Sequence, residues 1–193
     1  MREKSSMIAG VDFERVFKAL LEELERCQVR YAVIGGFAVA VLGLVRATVD
    51  LDLLVHRDDL ERLQTILTSL GYTRFASTEN VSRYVHPDAS WGSLDILHAF
   101  RKPSLEMLER TKVVPVFGGT HTIRVAQPED AIGLKVQAMA NNPLRRTREL
   151  ADIEALMELH GPQLDWDRIH MYFDLFGLAE EARQLKTRFG HAQ

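Results

Sequence analysis

The sequence predicts an α/β (α+β) fold. A mixed, twisted sheet with flanking helices is expected over residues 1–126, and a helical bundle over residues 127–193. Three observations carry this expectation. Short runs rich in β-formers alternate with helical apolar spacing up to residue 126. Glycines and polar turns punctuate those runs. From Pro128 onward the strand-like runs cease and four helical periods follow one another.

Taken in order, Asp12 to Cys27 places Phe13, Val16, Phe17, Leu20, Leu21 and Leu24 on one helical face. Tyr31 to Ile34 is a short apolar run stopped by Gly35-Gly36 and reads as a buried strand, with a short helix over Phe37 to Leu44. Thr48 to Val55 reads as a second buried strand interrupted by two aspartates. Arg57 to Leu70 is helical by its leucine spacing, and Gly71 ends it in the left-handed manner. Tyr72 to Phe75, Ser82 to His86 and Gly92 to His98 read as three further strands. A helix capped by Ser104 is expected over Ser104 to Arg110. Val113 to Phe117 and His121 to Val125 flank Gly118-Gly119-Thr120, a hairpin signal. Pro128 sits at a helix start with Glu129 and Asp130 in its first turn, and helices are expected at 128–140, 147–160, 165–175 and 178–189. No long linker marks the boundary near Ala126-Gln127, which is therefore soft, and the helical part is expected to pack on the cleft.

The chain has 193 residues, 46% of them hydrophobic and 26% charged, which suits a globular protein. Its formal net charge of −3 argues against a large nucleic-acid footprint. One cysteine, Cys27, excludes an intrachain disulfide and a thiolate zinc site. The seven histidines are scattered without ligand spacing. Met1 to Gly10 lacks the apolar core of a signal peptide, and the longest apolar run, Tyr31 to Val45, contains three glycines. A cytoplasmic location without membrane association is expected.

The informative stretch is Gly35-Gly36, a spacer, and Asp50-Leu51-Asp52. On a strand, residues i and i+2 face the same side roughly 6.6 Å apart, so Asp50 and Asp52 share one face while Val49, Leu51 and Leu53 enter the core. Paired carboxylates on a half-buried surface repel each other, and a hard divalent cation removes that penalty. A strand ending in Gly-Gly at a helix start leaves backbone N–H groups open to a phosphate. Asp95, in Ser93-Leu94-Asp95-Ile96-Leu97, supplies a third carboxylate on another strand. Together these describe phosphoryl or nucleotidyl transfer.

Gly-Gly, a spacer, Asp-x-Asp and a later strand Asp resemble the signature of the DNA polymerase β-like nucleotidyltransferase superfamily. Gly35 through Asp52 looks like the subgroup of abortive-infection type toxin nucleotidyltransferases. The run Asp130-(4)-Lys135, then Arg148-(3)-Asp152, is similar to the helical part of that subgroup. The resemblance covers residues 30 to 160, with Gly35-Gly36 where many members have Gly-Ser.

The resemblance implies Mg²⁺ (or Mn²⁺) held by Asp50, Asp52 and Asp95, with Asp95 helping to deprotonate an acceptor hydroxyl. Gly35 and Gly36 would hold the triphosphate, and Arg46 and Lys135 would neutralise phosphate charge. It implies a nucleoside triphosphate such as ATP and an acceptor that is a tRNA end, a protein or a small molecule. A protein partner, as in a toxin–antitoxin pair, or a homodimer is left open. The other reading is a non-catalytic nucleotide-binding or antitoxin-like protein that keeps the fold. The three retained carboxylates argue for the enzyme.

Each residue also has a plainer reading. Gly35-Gly36 taken alone would be a tight turn, and Lys135 on an amphipathic helix would be solvated. Arg46 and Asp95 would sit in structural ion pairs, and Arg145, Arg146 and Arg148 would be a helix-start surface. Trp91 reads as packing.

Overall fold

The structure is a computed structural model that describes residues 10–44 and 48–190. Among these residues, seven strands form one mixed sheet in the order β3-β4-β5-β2-β1-β7-β6. The strands are β1 (Tyr31–Ile34), β2 (Asp50–His56), β3 (Thr73–Ser77), β4 (Val81–Val85), β5 (Ser93–Ala99), β6 (Lys112–Val116) and β7 (His121–Val125). β2 and β5 pair in parallel, as do β1 and β7, and the remaining neighbours are antiparallel.

The helices of the first part are α1 (Phe13–Arg26), α2 (Gly35–Val41), α3 (Leu60–Ser69) and α4 (Lys102–Glu109). Those of the second are α5 (Pro128–Asn141), α6 (Arg146–His160), α7 (Trp166–Asp174) and α8 (Ala179–Phe189). Asp12 caps α1 by accepting the Arg15 N–H, and its apolar face buries Val16, Phe17, Leu20, Leu21 and Leu24. No helix among the described residues is long and apolar enough to cross a membrane.

The α/β architecture with C-terminal helices is as the sequence predicts, with differences at several element ends and at Val49, which precedes β2 and stays exposed instead of entering the core. α2 begins at Gly35, two residues before its expected start, because Gly35 itself takes φ +65° and turns the chain straight out of β1. α4 begins at Lys102, so Ser104 is not its N-cap. Ser104 occupies the third helical position, where its hydroxyl accepts from the Arg101 N–H and donates to the Arg101 carbonyl. The chain closes that turn with the same hydroxyl used in the reverse direction.

Strand alternation splits the core in two. Tyr31, Val33, Leu51, Leu53, Leu94, Ile96, Ile123 and Val125 pack against α1 and α3 on one face of the sheet. Ala32, Ile34, Leu54 and Ala99 lie on the other face with Met107 of α4 and Tyr172 of α7. A third cluster joins α5, α6, α7 and α8 and includes Val39 of α2. Val39 and Tyr172 thus tie the helical part to the sheet.

A glycine inside α5 makes one of these ties. A Cβ at Gly133 would stand 2.6 Å from the Tyr172 ring. The roughly 1 kcal/mol that glycine costs a helix relative to alanine is offset here by close packing of an aromatic ring.

Candidate active site

β2 and β5 run side by side with Asp50 opposite Ser93 and Asp52 opposite Asp95. Paired residues of adjacent strands share a face, so the three aspartates lie on one side of the sheet. The row along β2 reads Asp50, Asp52, Leu54. Leu54 is fully buried in the second-face core, while the two aspartates are partly exposed. The site is therefore the uncovered continuation of a core face. Its carboxylates replace leucines where the helices stop covering the sheet.

Each carboxylate has its own partner. Asp50 accepts a hydrogen bond from the Ser93 hydroxyl. Asp52 accepts from the Gly36 N–H. Asp95 is held by Arg83 of β4, whose Nε and Nη2 each lie 2.7 Å from one of its two oxygens. Arg83 is the direct cross-strand neighbour of Asp95.

Asp52 bears the electrostatic strain of the group. Burial first, then the charge of Asp95, and to a lesser degree that of Asp50, push its carboxyl up to about 6. The Gly36 N–H and Arg145 pull the other way. Arg145 sits just ahead of α6 and forms an ion pair with Glu149 at 2.5 Å. A partly buried carboxylate flanked by two others is an oxygen donor set suited to a hard divalent cation. Among the described residues no three His, Cys, Asp or Glu side chains already stand in a metal-holding arrangement, and Asp95 is turned to Arg83.

The glycine turn makes room for Asp52. A Cβ on Gly35 would fall 1.9 Å from Asp52 Oδ2, and one on Gly36 would fall 2.9 Å from Thr48 Oγ1. Thr48 Oγ1 in turn donates to the Asp50 carbonyl at 3.0 Å. Gly35→Ala is therefore expected to expel Asp52 from its position and strain a left-handed backbone. Any activity that depends on Asp52 should fall at least about 10²-fold, as when a catalytic group is misplaced by about an ångström. Measured activity within a few-fold of the wild type would show that Asp52 does not need the glycine turn.

The other sequence candidates lie as follows. Lys135 is 8% exposed and bonds Glu149 at 3.0 Å and Asp152 at 2.5 Å, tying α5 to α6. Arg46 lies outside the described residues. Trp91 stacks on His86, meets Tyr72 edge-on, and lies under the Arg15 guanidinium, so it is packed rather than free. His98 is buried between the Ser82 hydroxyl and the Glu79 carbonyl, each 2.9 Å away.

Sequence reasoning passed over Ser93, Thr48 and Arg83. Ser93 was legible, since it stands two residues before Asp95 on the same strand. Arg83 alternates with Val81 and Val85, but its carboxylate partner depends on the pairing of β4 with β5, which local spacing does not reveal.

Comparison with known proteins follows this geometry. A protein-family model described as an uncharacterised nucleotidyltransferase matches residues 9–185. No curated protein sequence matches the chain. Among solved structures, the fold is similar to the solution structure of the antibiotic-resistance factor ANT(2'')-Ia, with TM-score 0.62, 15% identity, and coverage of 92% of this chain and 99% of that one. The lincomycin-bound lincosamide antibiotic adenylyltransferase LnuA matches with TM-score 0.55 and 16% identity over 78% of this chain and 99% of that one. An antigenic nucleotidyltransferase-like protein from Paracoccidioides brasiliensis matches with TM-score 0.55 and 15% identity over 93% and 94% of the two chains.

Proposed function

Because the chain belongs to this family of uncharacterised nucleotidyltransferases, we propose that it transfers a nucleoside monophosphate from a nucleoside triphosphate to an acceptor hydroxyl at the face bearing Asp50, Asp52 and Asp95. The observation that carries the reading is the register of β2 against β5, which sets Asp52 beside Asp95, where burial first and then the Asp95 charge raise its carboxyl to about 6. A chain gains nothing in stability from gathering carboxylates that repel each other, and function is the usual reason such groups persist.

A divalent cation, Mg²⁺ or Mn²⁺, bound by these carboxylates would neutralise them, polarise the α-phosphate and acidify the acceptor hydroxyl. Asp50 and Asp52 are assigned to the triphosphate side, with Ser93 and the Gly36 N–H fixing their carboxylates. Asp95 is assigned to the acceptor side, where it helps to take the hydroxyl proton. The acceptor oxygen forms the new bond to the α-phosphorus, the bond to the bridging oxygen breaks, and pyrophosphate carries away that electron pair. Gly35 and Gly36 leave the triphosphate an approach free of side chains.

The acidic balance of the chain favours a small hydroxylated acceptor over a large RNA. The likeness in fold and length to the antibiotic-resistance factor ANT(2'')-Ia and the lincosamide adenylyltransferase supports that choice. The likeness of residues 35–52 to abortive-infection toxin enzymes supports instead a protein or tRNA acceptor.

The deciding experiment offers each α-labelled nucleoside triphosphate with Mg²⁺ to three acceptor pools: hydroxylated antibiotics, total tRNA and cell-extract protein. Label on a small molecule, lost in EDTA, is the expected result. Label on RNA or protein would redirect the acceptor assignment. Calorimetry finding no triphosphate binding, or equal binding in EDTA, would remove the metal-dependent reading altogether.

A further inference from the structure

Arg83 is the arginine that grips a carboxylate of the candidate site. Asp130 and Glu149, which Arg110 and Arg145 hold, are almost fully buried, so those pairs are built into the core. Arg83 and Asp95 remain 45% and 28% exposed in their side chains. The fork engages both Asp95 oxygens, and among the described residues Arg83 makes no other hydrogen bond or ion pair. Its β4 neighbours on the same face, Val81 and Val85, are also exposed, so among the described residues the guanidinium is left largely uncovered. A half-exposed pair of this kind holds weakly and separates readily when a stronger partner arrives. Asp50 and Asp52 lie near enough for their charges to act on Arg83 as well.

Building on the function proposed above, we propose that Arg83 is a substrate-contacting residue that changes partner during loading. It holds Asp95 while the site is free of cations. Asp95 gives up the fork when it coordinates a divalent cation, and Arg83 then turns to the phosphates of the incoming nucleotide. The planar guanidinium suits this exchange, because it makes the same two-pronged contact with a carboxylate and with a phosphate. Its four-bond reach from an uncovered strand lets it move without disturbing the core.

The partner exchange makes two binding constants move in opposite directions. Arg83→Gln removes a cation that competes for Asp95, so Mn²⁺ alone should bind about 2- to 5-fold tighter, the worth of an exposed pair. The same change removes a charge-assisted contact to phosphate, so a non-hydrolysable α,β-methylene ATP with Mn²⁺ should bind about 10-fold weaker or more. Arg83→Lys should recover part of the nucleotide affinity, since it restores the charge without the fork. Mn²⁺ affinity is read by electron paramagnetic resonance, and nucleotide affinity by calorimetry. Thermal melting confirms that the exposed substitution leaves the fold intact.

Weaker Mn²⁺ binding in Arg83→Gln would mean that Arg83 serves only to position Asp95, and would overturn the exchange. Unchanged constants for both ligands would reduce the pair to surface charge, with the same consequence. The underlying function is tested separately by Asp50→Asn. If the wild type binds Mn²⁺ no better than that variant, the metal site fails and the exchange falls with it.

Discussion

Asp52→Asn should abolish nucleotidyl transfer while making the metal-free protein more stable. The loss of activity should be on the order of 10²-fold or more, the usual consequence of removing a metal ligand or catalytic acid–base group. The gain in stability follows from the local electrostatics. Burial, Asp95 and Asp50 raise the Asp52 carboxyl from 3.8 to about 6. Between those values the folded chain keeps a proton that the unfolded chain has released. Stability therefore falls as pH rises from about 4 to about 6 and stays at the lower level above it. Asparagine carries no charge at any of these pH values and escapes that loss.

At pH 7.5 the variant should be more stable by about 1–3 kcal/mol, from about 1.4 kcal/mol per pK unit. At pH 3.5 the difference should vanish. Melting curves at the two pH values, read beside label incorporation, test both halves. A variant that loses activity and also stability at pH 7.5 would show that Asp52 is a structural group, not a strained functional one. Mg²⁺ offers a companion measurement, since it should raise the melting temperature of the wild type and leave that of Asp52→Asn nearly unchanged.

Asp130→Ala should destabilise the protein by about 3–5 kcal/mol, the cost of stranding one member of a buried ion pair. Asp130 is 0% exposed, and its Oδ1 accepts from the Tyr172 hydroxyl at 2.6 Å and from Arg110 Nη2 at 3.0 Å. Arg110 also reaches the Tyr172 oxygen at 3.0 Å. Burial, reinforced by the charge of Asp130, pushes the Tyr172 phenol well above its ordinary range, so it acts as a neutral donor. The triad joins the end of α4, the first turn of α5 and the middle of α7.

Alanine at 130 would leave the phenol without its acceptor and the guanidinium with, among the described residues, only the Glu106 carboxylate, 3.4 Å from its Nη1. Tyr172→Phe keeps the ring and leaves Asp130 paired with Arg110, so it should cost only about 1–2 kcal/mol. The double change Arg110→Met with Asp130→Leu removes both charges and should recover much of the loss. Urea unfolding midpoints at constant slope measure all three. A cost for Asp130→Ala no greater than that for Tyr172→Phe would show that water reaches the pair and screens it.

Much of the candidate site could be read from local pattern. Asp50 and Asp52 share a face because strand side chains alternate, and that holds for any strand at residues 50–56. Gly35-Gly36 marked the turn because only glycine takes the left-handed backbone needed there without strain. The helices from 128 onward announced themselves by apolar spacing, and Pro128 with its acidic neighbours marked where they begin. The helix over 102–109 was found but its start was misplaced. A serine hydroxyl can close a first turn from the cap or from inside the turn, and composition does not separate the two.

By itself, then, the sequence determined about where each strand and helix lies, and that two aspartates stand together on an otherwise apolar strand. Tertiary structure alone decided the relations between segments distant along the chain. Parallel pairing of β2 with β5 set Asp95 beside Asp52, and antiparallel pairing of β4 with β5 gave Asp95 to Arg83. Helix packing turned Lys135 toward Glu149 and Asp152, and Asp130 toward Arg110 and Tyr172. Periodicity is a property of consecutive residues, fixed by the backbone geometry of a single segment. Strand order and register are chosen by the burial of many segments at once, and a one-residue slip in any strand would turn its whole row of side chains to the opposite face.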